Sequence, residues 1–424
     1  MPPVESHIPT DFPLPPLEYD FIAPPRIVFG WGRRREIGTL AASLGRRAFV
    51  ITGSRTLEKS GAVAEVLALL KAAGVEPVHV GSISHEPEVD DVDALVAAMI
   101  EHHCGDGDLL IGLGGGSAID LAKAAAAMAT NMEVGGGTRA SVADFLEGVG
   151  RGLKITKPPL PMLAMPTTAG TGSEATKNAV ISSNAPSPSP LRKRDGSKAG
   201  PFKKSLRSDM MMPRVALVDP ELAVSVPATV TTQTGMDAIT QSIESYISRR
   251  AKPVPRALCL QGIALAIPAL PKAVRDGSCR PAREAMSQAA LLSGMALANS
   301  GLGLAHGVAA ALGAECGLAH GLACAVMLPM ALKANREVSE AELAALARVA
   351  CRGSFQSDAE AANAFVQCIE RLTGELSIPT RLRDLGVRRE QIPALVAGSH
   401  GNSLAGNPRE VNDEELASLL EAMW

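Results

Sequence analysis

A chain of 424 residues is too long for one small core, so two domains are expected. Its 46% hydrophobic and 20% charged residues are those of a soluble globular protein. A formal net charge of −3 and only 3% aromatics give no footing for a nucleic-acid or membrane-surface partner.

No apolar run reaches the roughly 18 residues a membrane span needs. The start, Met1-Pro-Pro-Val-Glu-Ser-His7, lacks the basic-then-apolar order of a secretory signal. Seven cysteines without a CxxC pair argue against a disulfide framework or a zinc finger. They point to reduced thiols in a cytoplasmic protein, most of them small core residues.

The first twenty-five residues are Pro-rich and are expected to wrap loosely over the surface or a partner subunit. Order begins with a short strand at Arg26–Phe29, followed by a helix from Arg34 to Leu44, a strand at Ala48–Thr52 and a helix from Gly61 to Ala73. A strand at Val78–Ile83 and a helix from Val89 to His102 come next. Leu109, Leu110, Ile111 and Leu113 then form a strand buried on both faces. Gly114, Gly115 and Gly116 make a tight turn, and Ser117 opens an Ala-rich helix running to about Ala129. Strand, glycine turn and helix N-terminus aim free N–H groups and a positive dipole end at one point, which suits a phosphate. The alternative is a tight turn that binds nothing.

Leu163–Met165 reads as a further strand leading into the loop Pro166-Thr-Thr-Ala-Gly-Thr-Gly-Ser-Glu174. Strands alternating with helices of this length predict an open parallel sheet covered on both faces, with ligands beyond the C-terminal strand ends. Residues 184–204, rich in Pro, Ser, Lys and Arg, read as a solvated surface loop. From about Val226 the chain is Ala/Leu-rich with helical spacing, and nine helices are expected between 227 and 423. The predicted architecture is an α/β nucleotide-binding domain over 1–212 and an all-helical domain over 213–424.

The helical half holds few groups for metal or proton chemistry. Asp237 and Gln241 share a helix face, while His306 and His320 each sit beside glycines that precede a helix. These residues could meet on a divalent ion, Gln241 being the weaker oxygen donor. On spacing alone, capping or core histidines are the commoner outcome.

Six ordered motifs then carry a resemblance. They are Gly114-Gly-Gly-Ser-Ala-Ile-Asp-Leu-Ala-Lys123, Pro166–Glu174, Gly235-Met-Asp-Ala238, Gly301-Leu-Gly-Leu-Ala-His306, Ala319-His-Gly321 and Asn407-Pro-Arg409. From about residue 21 to the C-terminus the chain resembles the iron-containing (group III) alcohol dehydrogenases. The resemblance implies a dehydroquinate synthase-like fold with the active site in the cleft between an α/β domain and a helical metal domain. It places the NAD or NADP pyrophosphate on Gly115, Gly116 and Ser117. The rest of the cofactor falls along Thr167, Thr168, Thr171 and Thr176, with Lys204 as a further contact. It places a divalent iron or zinc ion on Asp237, Gln241, His306 and His320, and implies a homodimer acting on a small alcohol or aldehyde.

Three positions depart from the family pattern. Gln241 stands where the family usually has His, and an amide oxygen is the poorer donor. Ala310 replaces a second family histidine near the substrate. Gly53 replaces the acidic residue that often holds the ribose 2′-OH, so a cofactor 2′-phosphate is no longer repelled and Arg55 could pair with it. The expected reaction is reversible hydride transfer between an alcohol carbon and nicotinamide, assisted by the metal. Asp237, His306 and His320 carry the catalytic centre in that reading. The alternatives are reduction of an oxo-acid such as maleylacetate, or a catalytically impaired nucleotide-binding homologue.

Overall fold

The computed structural model describes residues 18–53, 55–134, 138–183, 202–351 and 353–424. Six strands, β1 (Arg26–Phe29), β2 (Arg47–Gly53), β3 (Glu76–Ile83), β4 (Asp108–Gly114), β7 (Met162–Pro166) and β10 (Val215–Val218), form one sheet. Their order is β1-β10-β7-β4-β2-β3 and every pair is parallel. Between these strands lie the two-residue pair β5 (Glu133–Val134) and β6 (Thr138–Arg139), and the antiparallel hairpin β8 (Asn178–Ser183) and β9 (Phe202–Arg207).

Helices α1 (Ile37–Ala42), α2 (Arg55–Lys59), α3 (Ala62–Ala72), α4 (Val89–Glu101) and α5 (Gly116–Asn131) connect the strands. Apolar clusters lie on both faces of the sheet, one around Ile37, Val66 and Leu109, the other around Val96, Ile119 and Leu110. Every residue of β4 is therefore buried, as a strand covered on both sides requires.

The remaining helices are α6 (Ala228–Ile247), α7 (Pro253–Arg275), α8 (Arg280–Asn299), α9 (Leu304–Cys316), α10 (His320–Asn335), α11 (Glu340–Ala350), α12 (Asp358–Glu375), α13 (Ile392–Ser399) and α14 (Asp413–Met423). They share one core in which Ile239, Ile263, Leu304, Met327 and Phe365 are buried. Proline opens α7, where its missing N–H is no loss, and the Ser357 side chain caps α12 by accepting from the Glu360 N–H.

Several sequence expectations need correction. The expected helix from Arg34 to Leu44 is a 3₁₀ turn over Arg33–Glu36 followed by the short α1. The surface loop does not extend to residue 204. Residues 184–201, its basic run included, lie outside the described residues, but Phe202–Arg207 is paired in β9. The Pro-rich start falls mostly outside the described residues too, and where it is described Ile22 is tied to α8 rather than loose. Its N–H and C=O both bond the Asn299 side chain.

Strand β10 lies beyond the expected boundary at 212/213 yet sits inside the sheet, and the helical half begins only at Ala228. Helix α7 is long and apolar enough to cross a membrane by length and composition, against the sequence expectation. Its inner side, with Cys259, Ile263, Ala266 and Leu270, packs into the helical core. Of the seven cysteines only Cys259 and Cys324 are fully buried.

Candidate active site

Strand β4 ends at Gly114, and α5 starts two residues later with Gly115 as its N-cap and no side chain capping it. The first N–H groups of α5 are thus left for a ligand. A side chain at Gly114 would meet the Gly53 backbone at the end of β2, so these two strand ends are pressed together. Above the turn lie Thr168 and Thr171. A Cβ at Gly116 would come within 2.7 Å of the Thr171 methyl, and one at Gly115 within 3.3 Å of the Thr168 hydroxyl.

The loop carrying these threonines is held from below by Lys123. Its buried ammonium donates to Ser173 O at 2.9 Å, Thr176 Oγ1 at 2.8 Å and Asn178 O, and pairs with Asp120 at 3.0 Å. Burial lowers the Lys123 pKa despite Asp120. The Thr176 hydroxyl is therefore committed to the lysine and to Ser173 O.

On the helical side, α6 carries Asp237, Gln241 and Glu244 on one buried face at i, i+4 and i+7. His306 stands in the first turn of α9, and His320 opens α10. His306 Nε2 lies 3.3 Å from Asp237 Oδ1, and His320 Nε2 lies 3.8 Å from the same oxygen. His306 Nδ1 meets Glu244 at 2.7 Å, so the two carboxylates grip opposite nitrogens of one ring. Cys324, one turn into α10, has its sulfur 3.7 Å from His320 Nε2.

Burial opposes charge on both histidines, with different outcomes. For His306, Cys324 and the carboxylates of Asp237 and Glu244 outweigh it and the pKa is raised. For His320, burial with Lys203 and His306 outweighs Asp237 and lowers the value to about 4, although part of this ring faces the cleft. Burial raises the Asp237 pKa, but the two histidines and Gln241 more than reverse that.

Both sides open on one cleft of about 580 Å³. Of the predicted residues, Gly115, Gly116, Ser117, Thr168, Thr171, Thr176, Lys204, Asp237, Gln241, His306 and His320 line it. Gly53 and Thr167 are not in the lining. Gly53 lies behind the turn, and the Thr167 N–H bonds Gly114 O at 2.9 Å. The Arg55 side chain falls outside the described residues. Sequence reasoning missed Glu244 and Cys324, although the i+7 carboxylate after Asp237 and the His-x-x-x-Cys spacing were both readable.

Residues 24–220 match the model of the iron-containing alcohol dehydrogenases, and residues 231–424 match that of the Fe-containing alcohol dehydrogenase family, C-terminal. This chain belongs to the iron-containing alcohol dehydrogenase family. It is 32% identical over 404 residues to the NAD-dependent methanol dehydrogenase of Bacillus methanolicus, covering 95% of this chain and 99% of that protein. It is 33% identical to the lactaldehyde reductase of Escherichia coli K12, covering 93% and 97%. A solved structure of 1,3-propanediol oxidoreductase superposes with a TM-score of 0.83 at 31% identity, over 96% of this chain and all of that one.

Within this alcohol dehydrogenase, the donor atoms of Asp237, His306, His320 and Cys324 lie within 4.8 Å of one another, which fits a divalent ion. The Gln241 amide oxygen accepts from the buried Ser293 hydroxyl at 2.9 Å. Ala310 and Gly307 leave the cleft wall beside His306 small and unreactive.

Proposed function

We propose that this chain is a metal-dependent, NAD(P)-dependent alcohol dehydrogenase working also as an aldehyde reductase. One observation carries the reading: an uncapped helix start behind a glycine turn and a buried Asp/His cluster open on the same cleft. The first supplies N–H donors and a positive dipole end for a pyrophosphate, and the second supplies donors for a cation. In this reading the chain divides into a nucleotide half ending after β10 and a helical metal half.

A divalent ion held there would supply polarisation of the alcohol or carbonyl oxygen, and a nicotinamide held in the cleft would supply or accept the hydride. The protein's own part is placement. Gly115, Gly116 and Ser117 receive the pyrophosphate, and Thr168, Thr171 and Lys204 flank the cofactor on its way to the metal side. Thr176 acts through Lys123, keeping that threonine loop against α5. Asp237, His306 and His320 hold the ion, with Gln241 beside them. Gly307 and Ala310 give room for a small substrate and offer no proton donor of their own. Gly53 places no carboxylate where a 2′-phosphate would sit, which supports use of NADP as well as NAD.

A cytoplasmic homodimer is part of the same reading. The edge strand β1, with Ile27 exposed, suits pairing with a second copy.

The test is metal analysis of the purified protein with NADH and NADPH oxidation across a panel of aldehydes. Metal-dependent turnover that His306→Ala abolishes together with metal content is expected. Full turnover by the metal-free protein would overturn the proposal.

A further inference from the structure

We propose that Cys324 rather than Gln241 completes the metal site, so that the ion is held by Asp237, His306, His320 and the Cys324 thiolate, a set that favours zinc over iron. The inference rests on the metal-dependent reading above and says which of this chain's residues meet the ion.

Geometry is the first ground. A tetrahedral ion with bonds of roughly 2.0–2.3 Å has donor–donor edges of roughly 3.3–3.8 Å. Three edges of the cluster fall in that range: His306 to Asp237 at 3.3 Å, His320 to Asp237 at 3.8 Å and His320 to Cys324 at 3.7 Å. The remaining donor pairs are all within 4.8 Å. Cys324 gets there because it follows His320 by one helical turn, which stacks the two side chains on the same face of α10.

Gln241 is otherwise engaged. Its carbonyl accepts from Ser293 at 2.9 Å, and it stands one helical turn after Asp237, whose pKa it helps to lower. Ser293 also donates to Ala290 O at 2.8 Å, so the stronger ground is chemical: an amide oxygen is a poorer donor than a thiolate for such an ion. Gln241 is thus the weaker candidate for the fourth donor.

Donor chemistry is the second ground. Asp237 and Glu244 already balance the charge of a divalent ion, so the thiolate is favoured by its softness as a donor. As the sulfur–metal bond forms, the thiol proton leaves to solvent and nothing is oxidised. Thiolate with imidazole suits Zn²⁺ or Co²⁺ better than Fe²⁺, which lies below both in affinity for such donors. Cys259, the other fully buried cysteine, packs among apolar residues on α7 and belongs to no such group.

The test uses full-length protein stripped by chelator and reloaded with Co²⁺, read by absorption. One bound Co²⁺ per chain with a near-ultraviolet thiolate-to-cobalt charge-transfer band is expected. Cys324→Ser should lose that band and bind Co²⁺ about tenfold or more weakly, while Gln241→Ala should keep the band. Co²⁺ bound without the band in the unmodified protein, or a band surviving Cys324→Ser, would overturn the Cys324 assignment and leave the metal-dependent reading standing. Failure of the unmodified protein to bind Co²⁺ at all would overturn both. The decisive spectrum is that of the unmodified protein, so a poorly folding variant does not shelter the proposal.

Discussion

Glu244 accepts from His306 Nδ1 at 2.7 Å while also taking the backbone N–H groups of Gly303, Ala305 and His306. One carboxylate thus caps the start of α9 and fixes the ring that α9 carries. Because a carboxylate that takes these N–H groups accepts at Nδ1, the Nδ1 proton stays in place and Nε2 is the nitrogen turned toward Asp237, where its own proton must leave as an ion binds. A histidine held in this way is a better metal ligand, since its tautomer and orientation are set before the ion arrives.

Glu244→Gln should therefore weaken metal binding about 10- to 100-fold. The glutamine keeps the shape but offers one oxygen, and its N–H₂ faces donors it cannot satisfy. Unpaired buried N–H groups at the start of α9 should cost about 1–3 kcal/mol of stability in addition. Chelator competition and urea unfolding measure the two effects. Unchanged metal affinity would mean that His306 needs no such orientation.

Substitution at the glycine turn separates the two sides of the cleft. In Gly116→Ala the new methyl would lie 2.7 Å from Thr171, so the threonine loop must move off the helix N-terminus. NADH binding should weaken at least tenfold, about 1.4 kcal/mol, while metal content stays at the level of the unaltered protein. Fluorescence titration of NADH and metal analysis on the same sample test this. Joint loss of both would show that the two sides fold as one piece.

Much of the fold was readable because long buried runs and apolar periodicity belong to single elements. Leu109 to Leu113 announce a two-sided strand, and the Ala/Leu spacing of α8 and α12 announces helices whatever they pack against. The hairpin β8–β9 was not readable. Its second strand opens with Phe-Lys-Lys-Ser after a Pro-, Ser- and Lys-rich stretch, and its pairing with Asn178–Ser183 is a tertiary fact. In the site, the phosphate turn is local and could be read from adjacent residues. Glu244 and Cys324 gain their meaning only when α6, α9 and α10 cross. Local pattern then gives the spacing of each residue but not its neighbour.

The buried Glu174 gives a pH prediction. Burial raises its pKa from 4.5 to about 7, with a backbone hydrogen bond and Lys123 only partly opposing. The folded state therefore holds this proton more tightly than the unfolded chain. As pH rises from about 4.5 to about 7, the unfolded chain sheds the proton first, and stability falls by up to one proton's worth of slope. Glutamine mimics the protonated acid and removes that loss. Glu174→Gln should leave the thermal midpoint nearly unchanged at pH 4.5 and raise it at pH 8. A midpoint difference independent of pH would show that folding does not shift the Glu174 pKa.

The seam between the two halves rests on backbone pressed against backbone. Gly172, in the threonine loop, adopts a left-handed φ of 62° that favours glycine, and it packs directly on Gly294 of α8. A Cβ at Gly294 would stand within 2.8 Å of Gly172 Cα, and backbone cannot swing aside as the tip of a side chain can. Gly294→Ala should then cost about 1–3 kcal/mol by overpacking. It should also push the threonine loop away from α8, so that NADH affinity falls although the residue touches neither the glycine turn nor the metal donors. Gly374→Ala is the matched control. That glycine lies in α12 with open space where its Cβ would go, so the gain in helix propensity should stabilise the protein by up to about 1 kcal/mol. Urea midpoints and NADH titration of the pair measure both effects. Equal stability of the two variants would mean that the halves meet more loosely at this seam than the Gly172–Gly294 contact requires.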